Sequence, residues 1–278
     1  MKILVPLKPV PDPEQKFSIT EGKLDFSGVG IITNPFDEYA LEAALRLTDD
    51  ISGKKPVRGS GELVAVALGE VSGCTKVLKR ALGLGVDRGY HIEASDEELD
   101  VAVVAKVLAR LYEMERPDLI LMGKQSVDGD SGLVPQYLAG LLGLPQAVAV
   151  ASLTVENGMV RTTREVEGGV EHKVLTMPAV VSVDLRIVAP ESVTPPAHNG
   201  EYPWADGPRY PSIRGMLKTK KAVIESIALT TFIPDSHVLV SRAEASFPAK
   251  RPPGIMVASP AELARHLAPY VATEGSHE

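Results

Sequence analysis

The run Gly123-Lys124-Gln125-Ser126-Val127-Asp128-Gly129-Asp130-Ser131-Gly132 joins an apolar strand candidate, Leu119 to Met122, to a helical segment at 131–142. Such a loop lies at the carboxyl edge of a parallel sheet and aims backbone amides from a helix N-terminus, where phosphates bind. The same residues also read as an ordinary strand-to-helix turn, with Asp130 or Ser131 as cap and Gly129 supplying a positive φ. Asp128 and Asp130 would repel a phosphate unless they turn toward backbone donors or a ribose hydroxyl. Residue types alone therefore leave both readings open.

Other chemistries lack their residues. Gly83, Gly85 and Gly89 follow a helix and precede a strand, the reverse of a dinucleotide fingerprint, and read as a helix stop. The sequence contains no G-x-x-x-x-G-K-[ST], G-x-S-x-G or H-E-x-x-H, and its six histidines show no helical or hairpin pairing. Cys74 is the single cysteine, so no internal disulfide forms, and no Cys/His cluster has metal-site spacing. With 29 basic and 36 acidic residues the net charge is −7, which argues against nucleic acid or an anionic membrane as the main partner.

The elements that must position the loop follow from periodicity. Short apolar runs near 2–7, 62–68, 89–93, 118–122 and 147–153 alternate with helical patterns near 35–48, 73–83, 99–115 and 131–142. This alternation predicts an α/β fold with a doubly wound, mostly parallel sheet. Val101, Val104, Ala105, Leu108 and Leu111 form a helical stripe suited to a sheet face. Asn34 and Pro35 suit the start of the first helix, with Phe36, Ala40, Ala43, Ala44 and Leu47 as its buried stripe. The aromatic share of 5% is low for a sheet sandwich, and 278 residues suffice for one large domain with an appendage.

Phe17 to Ile32 reads as a small hairpin or a long functional loop. Met159 to Val166 and Val170 to Thr176 flank Gly168 and Gly169 as a second hairpin, and Ala179 to Val183 follows as a strand. A boundary is expected at 186, giving a nucleotide-binding domain at 1–186 and a proline-rich link, partner segment and C-terminal arm at 187–278. Ile187 to Pro208 should lie extended over a surface, Ser212 to Ile227 is a basic helix candidate, and Ser259 should cap a helix near 260–267. No apolar stretch reaches the roughly 18 to 20 residues of a membrane span, and the N-terminal run is broken by Pro6 and Pro9. With the single cysteine, this predicts a cytoplasmic location.

Four ordered blocks resemble the β subunits of electron transfer flavoproteins: Pro6 to Val10; Asn34-Pro35-Phe36-Asp37-Glu38-Tyr39-Ala40-Leu41-Glu42-Ala43; Gly123 to Asp130; and Pro178 to Arg186 followed by Arg209 to Lys221. The resemblance covers nearly the whole chain. It implies an electron carrier with no catalytic residues of its own, paired with an α subunit. The α subunit would hold most of a redox-active FAD, and the β pocket would hold AMP. It also implies flavin-dependent dehydrogenases as donors and a membrane quinone oxidoreductase as acceptor. Family nucleotide contacts carry over to Pro6, Asn34, Pro35, Phe36, Asp37, Ala65, Leu68, Gly123, Lys124, Gln125, Ser126, Val127, Asp128, Gly129, Asp130, Ser131, Gly132, Leu133 and Val134. Ile213 stands in place of the leucine of the family's partner-recognition segment, with Tyr210 and Met216 beside it and Lys218, Lys220 and Lys221 placed to steer an acidic partner surface. Ile213, Met216, Leu217 and Ile224 also read as a helical stripe packed on the α subunit, although Pro211, Arg214 and Gly215 interrupt it.

Three departures qualify the match. Gly132-Leu133-Val134 stands where AMP-binding members carry a run ending in Asn-Gln-Thr. Asp128-Gly129-Asp130-Ser131 and Val134 look like the electron-bifurcating version with a second FAD, whereas Gly132, Leu133 and Pro135 do not. The link at 187–208 is much longer than usual. The alternatives are thus a bifurcating subunit and, from another class, a free-standing adenine-nucleotide-binding module. The exposed segment expected at 210–221 argues against the latter.

Overall fold

The computed structural model describes residues 1–53, 55–220, 222, 224–241 and 243–271. They fall into two compact units, one comprising Met1–Ser18 and Asp25–Ala243, the other Ile19–Leu24 and the chain from Glu244 onward. In chain order the strands of the two larger sheets are β1 (Lys2–Pro6), β2 (Glu62–Gly69), β3 (Arg88–Glu93), β4 (Leu119–Gly123), β5 (Gln146–Val150), β6 (Ser152–Glu156), β7 (Met159–Val166), β8 (Gly169–Thr176), β9 (Ala179–Val183), β10 (Val193–Thr194) and β11 (Glu225–Ala228). The main helices are α1 (Pro35–Thr48), α2 (Val71–Leu84), α3 (Val101–Glu115), α4 (Val134–Leu142), α5 (Ile213–Thr219) and, in the second unit, α6 (Pro260–Val271).

Seven strands form the central sheet in the order β5-β9-β4-β1-β2-β3-β11, and every pairing is parallel. Successive side chains point to opposite faces, so each strand feeds two cores. Ile3, Val5, Leu119 and Leu121 pack beneath α1 and α2. Leu4, Ile120 and Met122 pack beneath α3 and α4. This is the expected doubly wound α/β fold. Gly85 ends α2 at φ 118°, the helix stop expected there.

Several local expectations change. The strand expected at 147–153 is two strands: Ala149 takes a positive φ of 53°, donates its N–H to Ser182 Oγ, and turns the chain out of the parallel sheet. From there β6, β7, β8 and β10 make a second sheet in the order β8-β7-β6-β10. The helix expected over 212–227 is confined to α5, and Glu225–Ala228 pairs with the edge of β3, which otherwise exposes unpaired backbone groups. On α3 the buried apolar set is Ala102, Val103, Ala105, Val107, Leu108 and Leu111, with Glu115 buried at its end, while Val101 and Val104 are half-buried.

On α1 burial runs all round from Ala40 to Thr48, because the proline-rich link lies on its outer side. Arg46, fully buried, donates to Glu42 Oε1 (2.8 Å) and to the carbonyls of Ala189 (2.9 Å), Ala205 (2.9 Å) and Gly207 (3.2 Å). Arg209 binds Glu42 and Asp49, and Trp204 Nε1–H donates to Asp49 Oδ2 at 2.9 Å. Two guanidinium and two carboxylate groups thus meet with their donors and acceptors paired, as burial of charge requires.

In the second unit the Ala245 N–H donates to the Gly22 carbonyl at 2.7 Å. Ser259 Oγ accepts from the Glu262 N–H at 3.2 Å, the cap expected for α6. No residue of α6 is buried.

Candidate functional site

Strand order reverses at β1: the chain proceeds outward through β2 and β3, then returns to β4 on the other side of β1. The segment leaving β1 leads to α1 on one face and the loop leaving β4 leads to α4 on the other. Two diverging connections at the carboxyl ends of adjacent parallel strands leave a crevice, the position at which doubly wound sheets bind ligands.

Asn34 spans this crevice. Its Nδ2 donates to the Gln125 carbonyl (2.9 Å) and its Oδ1 accepts from the Val127 N–H (3.2 Å). The side chain therefore holds the loop after β4 and does not cap α1, contrary to expectation; the Asp37 N–H donates instead to the Asn34 backbone carbonyl at 2.9 Å. Asp37 joins the same walls, accepting from the Lys8 N–H on one oxygen (2.8 Å) and from the Gly123 N–H on the other (3.2 Å). Burial pushes the Asp37 carboxyl up to about 7 despite these donors. A Cβ on Gly123 would stand 2.6 Å from both Asp37 Oδ1 and Phe36 Cβ, so only glycine lets α1 approach the end of β4 this closely.

Both loop carboxylates that would repel an anion are engaged. The Lys8 ammonium holds Asp128 at 2.7 and 2.8 Å and reaches Ser126 Oγ at 3.4 Å. Burial alone would raise the Asp128 carboxyl, but Lys8 outweighs it and holds the group below the usual carboxylate range. Asp130 accepts from Gln125 Nε2. Lys124 binds Asp184 Oδ2 at 2.7 Å and lies over the Phe36 ring, 5.2 Å from its centroid.

The loop's turn chemistry differs from the sequence reading. Positive φ falls on Asp130 (54°) and Gly132 (60°), not on Gly129. Neither Asp130 nor Ser131 caps α4, which begins at Val134 after Leu133. The N–H groups of Ser131, Gly132 and Leu133 donate to no protein acceptor among the described residues. Free amides before a helix, with neighbouring carboxylates tied back, suit a phosphate or other anion. Pro6 ends β1 and Leu68 lies half-buried near the end of β2, both at this edge. Ala65 is wholly buried in β2, beside Val5 and one step below that edge. Lys8 is the functional candidate missed from sequence. Only the parallel register of β1 with β4 reveals its partner.

Residues expected to meet a partner gather elsewhere, on α5 against the end of α2. Ser212 Oγ accepts from the Gly215 N–H (3.0 Å), and a Cβ on Gly215 would collide with the Gly83 carbonyl. This glycine is needed for close helix packing and does not break the helix. Ile213 is 83% and Tyr210 82% exposed, with Met216, Lys218 and Lys220 exposed beside them. Lys221 lies outside the described residues. The described residues hold no His/Cys/Asp/Glu group suited to a metal ion and no helix long and apolar enough to cross a membrane.

The family described as electron transfer flavoprotein domain matches residues 22–231. The chain is also similar, over nearly its full length, to proteins named electron transfer flavoprotein subunit beta. Identity is 35% with that of Bradyrhizobium diazoefficiens over 96% of this chain and 97% of the relative. It is 32% with that of Dictyostelium discoideum (93% and 94%) and 33% with that of Homo sapiens (96% of each). The crevice, the ordered blocks around it and similarity spanning both chains converge, and the chain belongs to the electron transfer flavoprotein β-subunit family.

Proposed function

We propose that this chain is the smaller subunit of a two-subunit electron carrier, pairing with an electron transfer flavoprotein α subunit to hold one FAD between them and AMP in its own crevice. The observation that carries the nucleotide reading is the loop held by Asn34, with the Ser131, Gly132 and Leu133 amides free, Asp128 paired with the Lys8 ammonium and Asp130 tied to the Gln125 side-chain amide. The residues fit a single phosphate group, since amides are available while Lys8 and Lys124 are already paired. When bound, FAD supplies the redox chemistry, accepting electrons from flavin-dependent dehydrogenases and releasing them to a membrane quinone oxidoreductase. The chain contributes binding and orientation and acts as a carrier, not as an enzyme.

On this reading residues 1–186 hold the nucleotide and 187–278 serve partners, in the cytoplasm. Tyr210, Ile213 and Met216 form the apolar contact for the dehydrogenase. Lys218, Lys220 and Lys221 steer an acidic surface toward it. The C-terminal arm reaches for the α subunit: Phe247, Ile255, Met256, Leu263, Leu267 and Val271 are exposed apolar residues along it. Co-expression with the α subunit should yield a yellow one-to-one complex, and acid extraction should release one FAD and one AMP. Two FAD without AMP would establish the bifurcating alternative. A colourless chain that ignores the α subunit would overturn the reading in favour of a free-standing nucleotide-binding module.

A further inference from the structure

Asp100 uses its two carboxylate oxygens for two different tasks. Oδ1 accepts from the Val103 N–H at 2.8 Å and caps α3. Oδ2 accepts from two consecutive backbone amides far along the chain, Leu239 N–H at 2.6 Å and Val240 N–H at 3.1 Å. The side chains of Leu239 and Val240 are themselves exposed, so packing does little to hold these residues, and the carboxylate supplies the attachment. The run that ends there is tied to the first unit step by step. Glu225–Ala228 pairs with β3, Leu229 is buried, and Phe232 and Ile233 pack against the core beneath α3. The unit itself ends at Ala243.

We infer that Asp100 is a positioning residue for the C-terminal arm: by clamping residues 239 and 240 to the start of α3 it fixes the point from which the arm departs toward the partner subunit. The inference rests on the proposed pairing of the arm with the α subunit. Without the clamp the arm's origin would wander, and each encounter with the partner would have to order additional backbone. The donor geometry supports a carboxylate here, because one oxygen facing two N–H groups gains from a full negative charge. Burial alone would raise the Asp100 carboxyl, but the N–H groups of Val103, Leu239 and Val240 together hold it below its ordinary range.

Asp100→Asn separates the two tasks. Asparagine caps helices as well as aspartate, so Oδ1 keeps α3 intact, whereas an NH2 group in place of Oδ2 faces two donors and cannot accept. In the two-subunit complex, hydrogen exchange at the Leu239 and Val240 amides should quicken about tenfold, as for loss of a charge-assisted bond, while α3 stays protected. Subunit dissociation after dilution, followed by native mass spectrometry, should quicken by a similar factor. Asp100→Ser, which caps but has no second oxygen, should behave alike. Unchanged exchange at 239–240 in both variants would overturn the clamp. Faster exchange with unchanged dissociation would overturn its role in presenting the arm. Failure of the wild-type chain to pair at all would instead overturn the underlying assignment, and the inference with it.

Discussion

The Lys8 ammonium lies 2.7 and 2.8 Å from the two carboxylate oxygens of Asp128, across 120 positions of sequence. The pair ties the segment after β1 to the loop after β4 and removes the charge that would oppose an anion there. Lys8→Met should therefore weaken AMP binding about tenfold, as for loss of a charge-assisted contact. Adding Asp128→Asn should recover most of that loss. Calorimetric titration of the nucleotide-stripped protein measures both, and wild-type affinity in Lys8→Met would refute the compensation.

Gly132 and Gly129 should respond differently to substitution. Gly132 has φ +60° and a Cβ there would meet the Lys124 carbonyl at 3.3 Å, so Gly132→Val should cost about 1–3 kcal/mol and empty the site. Gly129 has ordinary φ and only Ser126 Oγ at 3.7 Å, so Gly129→Ala should stay within about 0.5 kcal/mol. Denaturant unfolding together with nucleotide content distinguishes the two.

Arg46→Met would leave Glu42 beside one remaining guanidinium and strip a donor from the carbonyls of Ala189, Ala205 and Gly207. A loss of about 3 kcal/mol is expected, in the range for breaking buried ion pairs. Trp204 is the sole tryptophan and packs over Arg46, so its emission should shift to the red as the link leaves α1. An unshifted spectrum would show that the link holds without Arg46.

Glu115 accepts from Arg88, Tyr90 and Lys2, and Arg88 chiefly holds its carboxyl down to about 2. A depressed carboxyl stabilises the fold fully above its ordinary 4.5 and loses that contribution as pH falls toward 2. Glu115→Gln should cost on the order of 2 kcal/mol at pH 7 and progressively less below pH 4. Parallel acid-unfolding curves for the two proteins would exclude this linkage.

Ile213→Ala should weaken coupling to the dehydrogenase by about 1–3 kcal/mol, as hot-spot truncations do, with flavin content and subunit pairing unchanged. The exposure of Ile213 argues that it is not part of this chain's own core. Loss of the α subunit or of FAD in that variant would assign Ile213 to the internal interface.

Much of this molecule was legible in the sequence. Alternating apolar runs specify the parallel strands, because β1 and β4 must be apolar on both faces when helices cover both sides. The site's edge followed too, since a glycine-punctuated loop between a strand and a helix has one place to lie in such a sheet. Tertiary structure decided the remainder. Asn34 has the chemistry of a helix cap, and only the neighbouring loop made it a clamp on Gln125 and Val127. Glu225–Ala228 continues a helical pattern locally, but the open edge of β3 supplied better partners for its backbone. Lys8 with Asp128 and Asp100 with Leu239 are contacts between residues more than a hundred positions apart. Local periodicity reports the face a residue presents, whereas strand order and chain return decide what that face meets.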